Sequence, residues 1–200
     1  RSSDLKKIFP YGRQWIDEDD IAAVIQVLRS NYLTTGPEVE AFERELCEYT
    51  GARYCVVVSN ATAGLHLAVA ALNLPLGSEG ITSPNTFVSS ANCMVYNRLI
   101  PRFADINPNT FNIDPLEIEK QIDERTRLLI PVHFAGRACN MQKIRMIADE
   151  KHLKIIEDAA HAIGSKYKGG SKVGSCIYSD MTVFSFHPVK TMTTGEGGAV

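Results

Sequence analysis

Three polar clusters in this chain have the residue types and spacing to do chemistry. The first is Ser59-Asn60-Ala61-Thr62, directly after the apolar run Tyr54-Cys55-Val56-Val57-Val58. Small and polar residues where a strand turns into a helix leave backbone N–H groups free, and with the helix dipole they can hold a phosphate. The same residues can also be a plain helix cap, with Ser59 or Thr62 as the capping hydroxyl. The second cluster is Glu157-Asp158-Ala159-Ala160-His161, after Leu153-Lys154-Ile155-Ile156. An acid at the end of a buried strand is costly unless it meets a cation or several donors. A protonated pyridine nitrogen would be such a cation; a structural ion pair or a cap is the other reading. His161 by itself reads as a satisfied structural histidine. The third cluster runs from Phe184-Ser185-Phe186-His187-Pro188-Val189-Lys190 to Gly195-Glu196-Gly197-Gly198. A lysine beside a strand end is ordinarily a surface group. Held near a cationic ring or in a poorly hydrated pocket, it loses proton affinity and becomes a nucleophile.

Other chemistries find less support. His187 has no second ligand at metal spacing and HExxH is absent, while Ser185 sits in no GxSxG elbow. There is no GxGxxG or GxxxxGK[ST], so a dinucleotide or P-loop site lacks its signature. Taken together, the clusters offer a phosphate cradle, an acid for a ring nitrogen and an amine for an aldehyde. That set is what pyridoxal phosphate (PLP) asks of a protein.

The elements that must position these clusters follow a strand-then-helix grammar. Ile21, Val24, Ile25 and Leu28 predict an amphipathic helix over Asp17 to Arg29, with Asp17 as N-cap. Val39, Phe42, Leu46 and Tyr49 mark a second helix, stopped by Gly51. The run 54–58 lacks alternation and reads as a strand buried on both faces of a parallel sheet, followed by a helix to Leu72. Strands are expected at Pro101–Asp105, Leu128–His133, Leu153–Glu157 and Met181–Phe186, and helices from Asp114-Pro115 to Ile122 and from Met141 to His152. A further strand starts after Gly197-Gly198, so the domain is expected to continue past Val200. The fold class is α/β with a mostly parallel central sheet flanked by helices, in which ligands gather beyond the carboxyl ends of the strands.

A net charge of −2 argues against a nucleic-acid or membrane-surface partner recruited by bulk charge. No apolar run is long enough for a membrane span, and Arg1 to Lys7 has no signal-peptide core. Cys47, Cys55, Cys93, Cys139 and Cys176 include no CxxC pair, which suggests reduced thiols in a cytoplasmic protein. Asn60-Ala61-Thr62 fits a glycosylation sequon, here read as coincidence.

With these motifs in view, the chain resembles the sugar aminotransferases of the DegT/DnrJ/EryC1/StrS family, of the aspartate-aminotransferase-like fold (fold type I). The similarity runs from about Tyr11 to Val200. Its marks are Leu33-Thr34-Thr35-Gly36-Pro37, Ser59 to Leu65, Pro131-Val132-His133-Phe134-Ala135-Gly136, Ile156 to Ala162, and Phe184 to Gly198. Tyr11-Gly12-Arg13-Gln14, Ser89-Ser90-Ala91-Asn92-Cys93 and Tyr178-Ser179-Asp180 look closest to the members that act in pseudaminic acid synthesis. Those act on C4 of a UDP-linked 4-keto-6-deoxy-N-acetylhexosamine. Members acting on UDP-4-keto-arabinose or GDP-4-keto-6-deoxymannose share much of the pattern.

The resemblance implies a role for each matching position. Lys190 matches the lysine that bonds to the PLP aldehyde and then shuttles a proton, and Asp158 matches the acid paired with the pyridine nitrogen. His161 matches a Gln-or-His position near the ring hydroxyl. Ala61 and Thr62 match the phosphate turn, Ser185 a hydroxyl that also reaches the phosphate, and Phe87 the aromatic stacked on the ring. Tyr11 and Asn31-Tyr32-Leu33-Thr34 match contacts to the nucleotide-sugar substrate. The presence of Lys190 disfavours the family's dehydratase branch, which has histidine there. The resemblance further implies glutamate as amino donor, no metal, and a homodimer with shared active sites. It divides the chain into an N-terminal substrate-binding segment and helix (1–36) and a PLP-binding large domain (37–200). Family members run nearly twice this length. The resemblance thus places a small C-terminal domain beyond these residues, and activity is not implied for these 200 residues alone. A non-catalytic assembly or regulatory domain of the same fold is the alternative.

Overall fold

The computed structural model describes residues 12–200. Six helices are named in chain order: α1 (Glu18–Arg29), α2 (Pro37–Thr50), α3 (Ala61–Ala71), α4 (Ser89–Tyr96), α5 (Pro115–Gln121) and α6 (Met141–Lys151). The strands are β1 (Val57–Val58), β2 (Glu79–Thr82), β3 (Ile100–Phe103), β4 (Thr126–Ile130), β5 (Lys154–Asp158), β6 (Met181–Ser185) and β7 (Gly198–Ala199). They form one sheet in the order β1-β7-β6-β5-β4-β2-β3. The run from β3 to β6 is parallel, and β7 is antiparallel to both β6 and β1. This is the mostly parallel α/β sheet the sequence predicts.

Local chemistry sets the helix ends. Asp17 accepts the N–H groups of Asp19 and Asp20, and Asp20 accepts that of Asp17 in return, a reciprocal cap for α1. Gly51 ends α2 in the left-handed region at φ 85°, where a side chain would be strained. Asp114 caps α5 ahead of Pro115.

Alternation along the strands splits the core in two. Leu128, Ile130, Ile156 and Val183 pack on one face with Leu65 and Val69 of α3 and Met94 of α4. Leu129, Ile155 and Phe184 pack on the other with Ile118 of α5 and Ile144 and Ile147 of α6. A strand buried on both faces needs apolar residues in both registers, which is why these runs read as unbroken hydrophobic stretches.

One expectation is corrected, and one strand was not foreseen. The run 54–58 is not a doubly buried parallel strand. Val57 and Val58, half-buried, lie at the sheet edge antiparallel to β7, and Val56 continues the pairing with Val200 (2.9 Å), while the side chains of Tyr54 and Val56 are exposed. An apolar run without alternation cannot by itself tell an edge from a centre. Conversely, β2 is a fully buried inner strand although its sequence, Glu79-Gly80-Ile81-Thr82, carries a charge and a glycine. Glu79 is buried there because Arg102 and Arg125 both pair with it.

Candidate active site

Asp158 is the last residue of β5 and Ser185 the last of β6, so both lie at carboxyl ends of strands. Beyond β6 a turn closed by Lys190 N–H to the His187 carbonyl (2.9 Å) carries Lys190. These groups open into one cavity of about 520 Å³, the size of small-molecule sites. Ala61, Thr62, Phe87, Asp158, His161, Ser185 and Lys190 all line it. Every position assigned to the cofactor from the sequence thus faces the same space. The substrate positions do not join them. Asn31, Tyr32, Leu33 and Thr34 are exposed between α1 and α2, and Tyr32 borders a separate cavity lined by both helices. Tyr11 lies outside the described residues.

The start of α3 forms one wall. Asn60 caps the helix by accepting the Ala63 N–H (2.9 Å), and no acceptor among the described residues reaches the N–H of Ala61 or Thr62. Those two donors head the positive end of the helix dipole. Gly198 of β7 packs under this end. A Cβ there would lie 2.7 Å from Ala61 N and 2.9 Å from the Phe184 carbonyl, so only glycine lets β7 and α3 approach. The capping side chain is therefore Asn60, not Ser59 or Thr62. Thr62 instead exchanges a hydrogen bond with Ser89 (2.8 Å).

Glu157 and Asp158 look like one acidic pair in the sequence, but neighbours on a strand point to opposite faces. Asp158 borders the cavity; it accepts the Ser90 hydroxyl at 2.6 Å and the Ala160 N–H at 3.1 Å. Glu157 is fully buried away from it. It accepts His133 Nε2 (2.7 Å), Tyr167 Oη (2.8 Å), Thr182 Oγ1 (3.2 Å) and the Ser179 hydroxyl. His133 Nδ1 accepts the Cys139 N–H (3.0 Å), which puts the ring proton on Nε2, toward Glu157. Burial alone would raise the proton affinity of Glu157. The hydrogen bond from His133, helped by those from Ser179 and Tyr167, overcomes it and holds the carboxyl below its usual value.

Burial lowers the proton affinity of the Lys190 amine, and the nearby Asp158 charge offsets only part of the effect. His161 is lowered too, by burial and then by Lys190. Its Nδ1 accepts the Ala135 N–H at 3.3 Å, which leaves Nε2 to carry the proton. Phe134 meets the His161 ring edge-on, with centroids 6.3 Å apart.

Sequence reasoning assigned no role to Thr86, Ser89, Ser90 or Phe134. Ser89-Ser90 and Phe134 stood inside quoted motifs, but nothing local says which serine reaches which partner; that is fixed by how α4 lies on α3 and β5. The five cysteines are all free.

Comparison with known proteins agrees with this geometry. The chain is 41% identical over 194 residues to a UDP-4-amino-4-deoxy-L-arabinose–oxoglutarate aminotransferase of Shewanella sediminis, covering 96% of this chain and 48% of the relative. Among solved structures, Helicobacter pylori PseC, an aminotransferase of pseudaminic acid biosynthesis, superposes with TM-score 0.91 at 36% identity, over 96% of this chain and 51% of that one. NtdA of Bacillus subtilis, solved with its cofactor PMP bound, gives TM-score 0.82 at 35% identity over 92% and 42%. The chain spans about half the length of the curated relatives it matches. A sequence profile matches residues 14–200, and the chain belongs to the DegT/DnrJ/EryC1/StrS aminotransferase family.

Proposed function

We propose that this chain supplies the cofactor-holding part of a PLP-dependent aminotransferase. The enzyme moves an amino group from glutamate to C4 of a UDP-linked 4-keto-6-deoxy-N-acetylhexosamine, as a homodimer with shared sites. In this reading residues 1–36 form the substrate-binding segment and helix, and 37–200 the PLP-binding domain. The observation that carries it is the convergence of Lys190, Asp158 and the start of α3 on one cavity.

The residues present fit PLP. The two N–H groups at the start of α3, with Ser185, suit a phosphate, and Asp158 suits a protonated ring nitrogen. Phe87, 71% exposed, offers a flat apolar face. PLP supplies an aldehyde carbon and an electron-accepting ring. The chain's own groups do the rest. Lys190, with its proton affinity lowered, gives up its proton more readily than a surface lysine, so its amine can act as nucleophile and then take and return a proton at Nζ. Asp158, lining the cavity, would hold a negative charge against the ring nitrogen and so favour its protonated form. His161, which lines the cavity, carries its free N–H on Nε2, and the buried wall behind Asp158 excludes water.

Borohydride reduction of the full-length protein, followed by peptide mass spectrometry, tests the cofactor. A phosphopyridoxyl mass on Lys190 is expected. Lys190→Ala should abolish both this label and the visible absorption band. An unlabelled Lys190, or a variant indistinguishable from wild type, overturns the reading. A second reading keeps the chemistry and changes the sugar. UDP-4-keto-arabinose is favoured by the 41% identity to the Shewanella enzyme, against 36% to PseC. Amine formation from glutamate with each purified 4-keto sugar decides between them.

A further inference from the structure

The carboxylate that would face the ring nitrogen is not held by its own strand alone. Ala160 N–H takes Asp158 Oδ1 at 3.1 Å, and the Ser90 hydroxyl takes Oδ2 at 2.6 Å. Ser90 is completely buried behind Asp158 and is the one side-chain donor to it among the described residues. Its length is that of a charge-assisted O–H···O⁻ bond. Thr86 Oγ1 lies 2.6 Å from Ser90 Oγ. Ser90 Oγ also lies 3.3 Å from the Phe87 carbonyl, but the Asp158 contact is far shorter and charged, so the single Ser90 proton goes to Asp158, Thr86 donates to Ser90, and the two hydroxyls form a directed chain. The preceding residue, Ser89, bonds Thr62 at the start of α3. One turn of α4 therefore grips the acid end and the phosphate end of the cavity together.

We propose that Ser90 is a positioning residue that aims Asp158 at the ring nitrogen of the bound cofactor. The proposal rests on the reading of this cavity as a PLP site. Without the Ser90 hydroxyl, Oδ2 has no side-chain anchor and the carboxylate can rotate away from the nitrogen. Thr86 would then tune the effect at one remove, by polarising Ser90. No direct contact between Ser90 and substrate or cofactor is involved, since it lies behind the carboxylate.

The test uses the full-length protein stripped of cofactor and two probes: PLP, and its 1-deaza analogue with carbon in place of the ring nitrogen. Ser90→Ala removes the hydroxyl. Ser90→Cys keeps nearly the same volume but donates only weakly, so it separates the hydrogen bond from packing. Both variants should bind PLP about tenfold more weakly than wild type, the scale of one hydrogen bond to a charged group. Both should bind the deaza analogue as wild type does, and Thr86→Val should show a smaller loss, again for PLP alone. A role in packing would weaken both ligands equally in Ser90→Ala and spare Ser90→Cys. That result overturns the proposal, as does unchanged PLP affinity in both variants. Should the wild-type protein bind neither probe, the PLP reading itself fails and takes this inference with it.

Discussion

Glu157 and Asp158 are adjacent carboxylates at the same strand end, and the molecule treats them in opposite ways. Glu157 is saturated: donors from His133, Tyr167, Ser179 and Thr182 surround it, and it is fully buried. Asp158 is held by one hydroxyl and one backbone N–H and opens onto a cavity that also contains Lys190. Burial is nearly equal, so burial does not separate a structural acid from a chemical one. What separates them is acceptor capacity. A carboxylate has about four lone-pair sites; Glu157 has spent its own on the fold, while Asp158 keeps some for a ligand. Glu157 ties together the end of β5, the His133 loop, the 167–179 excursion and β6, so its task is to keep Asp158 in place from behind.

The largest effect should come from Asp158→Asn. The amide keeps the size but loses the charge, and the amine-transfer rate should fall by about 10²–10³-fold, as when one preorganised electrostatic partner is removed. Thermal melting of the apo-protein should barely move. Glu157→Gln should do the reverse at the next scale down. An amide NH2 facing hydroxyl and imidazole donors leaves buried groups unpaired, at a cost of about 3 kcal/mol in urea unfolding. If Asp158→Asn proves the more destabilising of the two, the division of labour is wrong.

Much of this was legible in the sequence, and the failures are instructive. Lys190, Asp158 and Ala61-Thr62 could be found because each follows an apolar run, and strand ends converge in a parallel sheet. The helix at 18–29 was legible from its cap and period alone. The inner strand β2 was not, since Glu79 is accommodated only by Arg102 and Arg125, which lie far along the chain. Neither was the split between Glu157 and Asp158 drawn, although alternation along a strand implies it. Ser90 could not be singled out from Ser89, because the choice depends on the pose of α4 against β5. Asn31 to Thr34 stay apart from the cavity; their match to the family pattern is a statement about substrate contacts, and the cavity in this chain is built without them.

Acid sharpens the comparison further. The Glu157 carboxyl is held below its usual value in the folded state, so its contribution to stability is complete above the unfolded value of about 4.3 and is lost as pH falls through the folded one. Wild-type stability should therefore drop toward Glu157→Gln as pH falls below about 4.3, and the gap between the two proteins should narrow. Urea titrations of both across that range measure it. A gap that is constant with pH would mean that the buried acid is already protonated at neutrality.

The smallest effect separates one donor from the set. Burial and the Glu157 charge push the Tyr167 hydroxyl well above its usual range, so it acts as a donor at every pH where the protein folds. Tyr167→Phe deletes that donor and leaves the ring, which still packs against Tyr178 (centroids 5.1 Å apart). Three donors to Glu157 remain, from His133, Ser179 and Thr182, so the cost should be about 1 kcal/mol, well below that of Glu157→Gln. PLP affinity should stay at the wild-type value, because Asp158 and its Ser90 anchor lie on the other face of the sheet. A Tyr167→Phe protein that unfolds normally but binds PLP weakly would show that the two carboxylates communicate through β5 more strongly than their separate partners suggest.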